Sequence, residues 1–150
     1  MLQYMKIKNK VRMMKSNLNI IDLISEKHIV LRREVEDRWE AIEDEEISHT
    51  EALFLAKIEM GKISIAEVAR QANISRQAMY KCAKKLETRG YLKFVIDEGN
   101  NKYTNLTEKG EEYCRRSKEL KASIEREISD VLGEENIRML KELLNKRWIK

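Results

Sequence analysis

The chain has 150 residues, 42% of them apolar, which is enough for one domain with a sizeable core and helical extensions and excludes wholesale disorder. Zero prolines and five glycines point to a predominantly helical chain with few irregular loops. Thirty basic residues against twenty-six acidic ones leave a net charge of only +4, so any case for an anionic partner rests on local clustering of charge and not on the total.

Cys82 and Cys114 have neither metal-ligand nor CxxC spacing, and the two histidines are isolated, so no metal and no disulfide scaffold is expected. There is no glycine-rich phosphate loop and no nucleophile motif, which argues against an enzyme and against a cofactor. No apolar run approaches the roughly 18 residues of a membrane span, and the N-terminus lacks the apolar stretch of a signal peptide. A cytoplasmic location is the expectation.

In chain order, residues 1–16 carry Lys6, Lys8, Lys10, Arg12 and Lys15 without an acid. They read as a basic arm touching phosphates, a solvated tail or the frayed start of the first helix. From Asn17 to Ile42 the pattern is helical: Ile21, Ile24, His28, Leu31, Val35, Arg38 and Ile42 alternate steps of three and four, with Trp39 alongside. So long a seam on a small protein is expected to meet a second subunit, with Ile24, His28, Leu31 and Val35 in the contact. His28 reads there as a hydrogen-bonded interface or core histidine. Glu43 to Glu46 is an acidic run, read as a solvated helix end or linker that favours the N-terminus of the helix after it. Ser48 with Glu51 forms a capping box that opens a helix through Met60. Leu53, Phe54, Leu55 and Ile58 make that helix apolar almost all round, so it belongs in the core.

Ser64 to Leu86, SIAEVARQANISRQAMYKCAKKL, reads as two short helices joined by a tight turn. Ser64 with Glu67 begins the first helix as a capping box, Asn73 suits the left-handed turn, and Ser75 caps the second. Met79, Cys82 and Leu86 share one face of the second helix. Gln77, Tyr80, Lys81 and Lys84 share another, with Arg76 at the helix start. Glu67 is the only acid in this stretch, against Arg70, Arg76, Lys81, Lys84 and Lys85. A helix with donors at its N-terminal end and cations along its outer face suits the major groove of double-stranded DNA. Arg76, Gln77 and Tyr80 are the candidates for base edges. Lys81 and Lys84 are candidates for phosphates, as are Ser64 and Ser75 where their capping role leaves them free.

Arg89-Gly90 is a helix stop. Residues 91–96 and 102–106 read as two strands around the turn DEGNN, making a wing with Lys102 near its tip. Thr107 caps a helix past Tyr113, Leu120, Ile124, Ile128 and Val131 to Gly133. A last helix follows with the stripe Ile137, Leu140, Leu144 and Trp148, closed by Lys146, Arg147 and Lys150. Ile124, Leu140, Leu144 and Trp148 are expected to join the subunit contact.

The fold expected is therefore mainly α (α+β): a winged helix-turn-helix lobe at 48–106, a helical dimerisation region from 17–47 and 107–150, and the arm at 1–16. Carried by ISHTEALFLAKI, by SIAEVARQANISRQAMYKCAKKLETRGYL and by NLTEKGEEY, the sequence resembles the MarR (multiple antibiotic resistance regulator) family of winged helix-turn-helix regulators over roughly Asn17 to Trp148. The PadR type fits less well, because its N-terminus lacks so long a leading helix. The resemblance implies a homodimer with interlocked terminal helices. Its two recognition helices would face successive major grooves of a palindromic operator, and DNA binding would be relieved by a small-molecule effector. Trp39, His28, Phe54 and Met60 are the candidates for an effector cleft, and Cys82 and Cys114 for the oxidant sensing known in some relatives. The wing departs from the family pattern: DEGNNKY has no arginine. That departure supports the rival reading, a winged-helix module that binds protein and not DNA.

Overall fold

The computed structural model describes residues 2–3, 18–42 and 45–150 and divides into two compact units, residues 1–42 and 43–150. Apart from Leu2 and Gln3, the basic arm at 1–16 lies outside the described residues.

The first unit is built on α1 (Ile20–Ile42). Asn19 starts it: its Oδ1 accepts the Asp22 amide at 2.9 Å, its Nδ2 donates to the Asp22 carboxylate at 2.8 Å, and its own carbonyl takes the Leu23 amide at 3.0 Å. Ion pairs one turn apart, Arg32–Glu36 at 3.0 Å and Glu34–Arg38 at 2.8 Å, lace its polar side. No residue of α1 is buried, and Ile20, Ile21, Ile24, Ile29, Val30 and Leu31 are exposed.

The second unit runs α2 (His49–Glu59), α3 (Ile65–Ala72), α4 (Arg76–Thr88), β1 (Leu92–Ile96), β2 (Lys102–Leu106), α5 (Glu108–Leu132) and α6 (Glu134–Asn145). Ser48 and Glu51 form the full reciprocal capping box of α2, and Phe54, Leu55 and Ile58 are buried. At α3 only half of the expected box forms. Ser64 Oγ accepts the Glu67 amide at 3.1 Å, but the Glu67 carboxylate turns to Arg70 and Gln71 instead of returning to the cap. Asn73 takes the left-handed turn at φ 53° and ψ 44°, as its side chain suits. α3 and α4 pack on each other, with Val68, Ala69, Met79, Ala83 and Leu86 buried. Cys82, expected on the buried face of α4, is only half-buried, and Ala83 takes the inward position.

α4 ends in a Schellman turn. The Tyr91 amide donates to the Leu86 carbonyl and the Gly90 amide to the Glu87 carbonyl, both at 3.0 Å, with Gly90 at φ +87°. β1 and β2 pair antiparallel from Leu92↔Leu106 to Ile96↔Lys102, giving the expected two-stranded wing. Thr107 caps α5 and also closes the base of the wing. Its amide donates to the Tyr91 carbonyl at 3.1 Å and its Oγ1 to the Gly90 carbonyl at 2.5 Å. The glycine of the LTEKG motif has a steric cause, because a Cβ on Gly110 would lie 2.1 Å from the Tyr91 carbonyl oxygen.

One expectation fails at the C-terminal end. α6 stops at Asn145 and not beyond Trp148, with Lys146 already extended, so Lys146, Arg147 and Lys150 do not close a helix. The Trp148 indole N–H donates instead to the Leu143 carbonyl at 2.8 Å, sharing that acceptor with the Lys146 amide at 3.3 Å. Ile124, expected in the subunit contact, is 6% exposed in the single chain. Leu140, Leu144 and Trp148, by contrast, stay exposed together with Met139 and Leu143. Among the described residues no helix is long and apolar enough to cross a membrane.

Candidate nucleic-acid interface

Ser75 Oγ accepts the Ala78 amide at 3.1 Å and starts α4 with no acid in its first turn. At roughly 100° per residue, Arg76, Tyr80, Lys84, Gln77 and Lys81 fall in that order within an arc of about 140°. All five are exposed, whereas Met79, Ala83 and Leu86 anchor the opposite side. The face therefore presents a guanidinium, an amide, a phenol and two ammonium groups on a rigid helix.

Their environments differ. Arg76, Gln77, Lys81 and Lys85 have no ion-pair or hydrogen-bond partner among the described residues, so their donors point outward. Tyr80 stands edge-on to Phe94 of β1 with ring centroids 5.8 Å apart. The Lys84 ammonium lies 4.3 Å above the Phe94 ring and 3.3 Å from the Glu87 carboxylate, so it is held back against the wing. Lys84 is thus a weaker candidate for a phosphate contact than Lys81. Arg70 is likewise neutralised, by both oxygens of Glu67. The hydrogen bonds from Arg70 and Gln71 hold the Glu67 carboxyl down to about 2. Ser64 and Ser75 use their oxygens as caps and keep their O–H free to donate.

Lys102 is exposed at the end of β2, with the tip of the wing beside it. Asp97 organises that tip. Its Oδ1 accepts the amides of Gly99 and Asn101, each at 2.9 Å, and its Oδ2 accepts Lys62 Nζ at 2.8 Å. With Lys62 the largest cause and the Asn101 amide next, its carboxyl falls to about 2. Lys62 also lies 4.5 Å over the Tyr103 ring.

Behind the outer face, the C-terminal end of α4 is tied down by a second set of charges. Arg89 Nη1 donates to Glu51 at 2.7 Å and Nη2 to the Glu46 carbonyl at 2.6 Å. Lys109 donates to Glu45 at 3.0 Å and to the Arg89 carbonyl at 2.9 Å, and the Tyr91 hydroxyl donates to Glu45. Glu45, exposed to solvent as expected for the acidic run, thus also serves as an anchor. Glu51 is 3% exposed; burial pushes its carboxyl up, but the Ser48 amide and hydroxyl with Arg89 outweigh that and hold it below the usual range. Sequence reasoning missed Lys62, Arg89 and Glu45 as functional supports. Each pairs with a residue 35 or more positions away, and no local spacing announces such pairs.

Of the candidate effector residues, Phe54 and Met60 lie at opposite extremes of exposure. Phe54 is 0% exposed and belongs to the core, while Met60, at 83% exposed, caps the end of α2. Trp39 is half-buried in α1 of the other unit. Neither cysteine is activated. Burial pushes the Cys82 thiol up to about 11 and the Cys114 thiol up to about 12, which disfavours the nucleophilic thiolate. Among the described residues there is no group of His, Cys, Asp and Glu able to hold a metal.

No family model matches the chain, and no curated protein matches its sequence. Solved structures do match its fold. The MarR family protein Rv2887 of Mycobacterium tuberculosis, in complex with salicylic acid, is similar with a TM-score of 0.68 at 23% identity, over 85% of this chain and 95% of that one. The same protein in complex with DNA gives 0.67 at 22% identity, over 85% and 96%. The transcriptional regulator BldR of Sulfolobus solfataricus gives 0.63 at 17% identity, over 93% and 96%. The fold is that of the MarR-type winged-helix proteins, as the motifs around α3, α4 and the start of α5 imply.

Proposed function

We propose that the protein is a MarR-type transcriptional regulator that binds double-stranded DNA in a sequence-specific way as a homodimer. One observation carries the reading: the α4 face on which Arg76, Gln77 and Lys81 point outward without internal partners, on a helix anchored from behind. Arg76 would pair with guanine and Gln77 with adenine, with Tyr80 on a base or a phosphate; Lys81 and Lys102 would neutralise phosphates. Lys84 would add a lesser share because Glu87 and Phe94 hold it. Dimerisation is supported by the apolar residues that α1 and α6 leave uncovered, Ile24 and Leu31 on one and Leu140 and Leu144 on the other. Two copies related by a two-fold axis would place their recognition helices on half-sites of a palindrome. Repression follows if that palindrome overlaps a promoter. The salicylic acid complex of Rv2887 supports relief by a small aromatic acid, which would bind elsewhere than at buried Phe54.

Selection of bound sites from random duplex DNA at moderate salt tests the proposal. A two-fold symmetric motif with half-sites about one helical turn apart is the expected outcome. Salt-sensitive retention of unselected DNA, or none, would shift the reading to the rival, a winged-helix module that binds protein.

A further inference from the structure

The wing lacks an arginine at its tip, yet its tip is more highly organised than a five-residue polar turn requires. The Asp97 carboxylate gathers two backbone amides, at Gly99 and Asn101, and the ammonium of Lys62. The Asp97 amide donates to the Asn101 carbonyl and the Asn100 amide to the Asp97 carbonyl, both at 3.1 Å, which closes the turn on itself. Of these contacts only Lys62 comes from outside the hairpin. It sits between α2 and the N-cap of α3, two residues before Ser64, and reaches across to both strands' ends: to Asp97 by its ammonium and to Tyr103 by a cation–π contact at 4.5 Å. Asp97 is the more enclosed partner, with its side chain 19% exposed.

We propose that Lys62 is a positioning residue for DNA binding: its ion pair with Asp97 and its stacking on Tyr103 lock the wing to the segment that leads into the helix-turn-helix. This rests on the DNA-binding reading above. In the locked pose the wing presents Lys102 and the backbone of 99–101 to a phosphate strand and inserts no side chain between base edges. Sequence choice then lies with α4 alone, and the wing supplies register. The same pair cancels one carboxylate on a surface that would otherwise repel the phosphates.

The sign of one substitution separates positioning from simple charge. Asp97→Asn removes a negative charge from the DNA-facing surface, so by electrostatics alone it would tighten binding. If Lys62 acts by locking the wing, Asp97→Asn instead weakens binding, by about 3- to 5-fold in Kd, the scale of an exposed charged pair. Lys62→Met keeps the stem over Tyr103, loses the charge and weakens binding to the same degree. The double variant is no worse than either single one, and Lys62→Arg restores affinity. The Kd values are measured on the selected site, alongside amide hydrogen exchange of the free protein at residues 97–103. Lys62→Met is expected to speed exchange there while leaving α2 to α4 protected. Asp97→Asn binding as tightly as the parent or tighter, or additive losses in the double variant, would overturn the inference and leave Lys62 as a plain phosphate contact. Unchanged exchange would overturn it whatever the DNA results. A parent protein that selects no site overturns the DNA-binding reading instead, and exchange in the wing then decides alone whether Lys62 orders it.

Discussion

The two ends of α4 use the same kinds of side chain for opposite purposes. At the N-terminal end and along the outer face, Arg76, Gln77 and Lys81 have no partner among the described residues. At the C-terminal end, Arg89 is matched by Glu51 and the Glu46 carbonyl, and Lys109 by Glu45 and the Arg89 carbonyl. A cation satisfied inside the protein gives rigidity and has little left for a ligand; one left in water costs little and keeps its whole interaction for a partner. The contrast separates scaffold from interface more sharply than charge density does, because both ends of the helix are basic.

The scaffold end should break most visibly. Gly110→Ala drives a methyl group to 2.1 Å from the Tyr91 carbonyl oxygen and forces α5 away from the base of the wing. It should lower stability by about 3 kcal/mol, read by denaturant unfolding. Arg89→Ala leaves the buried Glu51 carboxylate without its cation and should cost about 3 kcal/mol at neutral pH. Because the Glu51 carboxyl is lowered from its ordinary 4.5 in the folded chain, its contribution is complete above that value and disappears as pH falls through the lowered one. Arg89→Ala should therefore flatten the acid limb of the stability curve, and an acid limb identical to the parent's would remove Arg89 from this role.

At the interface end the effects move to DNA and leave folding alone. Arg76→Ala should weaken the selected site by about 10- to 100-fold while changing random DNA little. Equal loss on both would take Arg76 out of base readout. The smallest effect compares two lysines on one face. Lys81→Ala should reduce the salt slope by about 0.9, the value for one phosphate contact, and Lys84→Ala by clearly less, since Glu87 and Phe94 already engage its ammonium. Equal slopes would mean that Lys84 swings free of the wing on binding.

Features set by local chemistry were legible in the sequence. Ser48, Ser64, Ser75 and Thr107 each cap the helix predicted for them, Asn73 makes the left-handed turn, and residues 91–106 form the hairpin. What escaped was set by residues distant in the chain. Half-exposed Cys82 gives way to Ala83 because the neighbouring helices decide which way α4 rolls. Glu67 has two competing donors within one turn, Arg70 and Gln71, and these win over the cap. The end of α6 carries no glycine or proline to mark it. Trp148 continues the apolar spacing of the helix yet lies beyond it, held by its indole N–H. Phe54 and Met60, close in sequence and both apolar, end at opposite extremes of exposure because one faces the core and the other leaves the helix.

The wing starts and finishes at a single clasp. Thr107 ties its own amide and hydroxyl to the carbonyls of Tyr91 and Gly90, and Gly110 lets α5 lie directly against Tyr91. With its two ends fixed together, the hairpin can change its turn at little entropic cost, since doubling the length of the turn adds only about 0.6 kcal/mol of closure entropy; what ties the tip to the lobe is the pair between Asp97 and Lys62. Such a segment can lengthen, shorten or exchange its tip during evolution without renegotiating the core. The same holds at the bench, where a longer or arginine-bearing tip can be grafted between Asp97 and Lys102, leaving the pair of Asp97 with Lys62 in place.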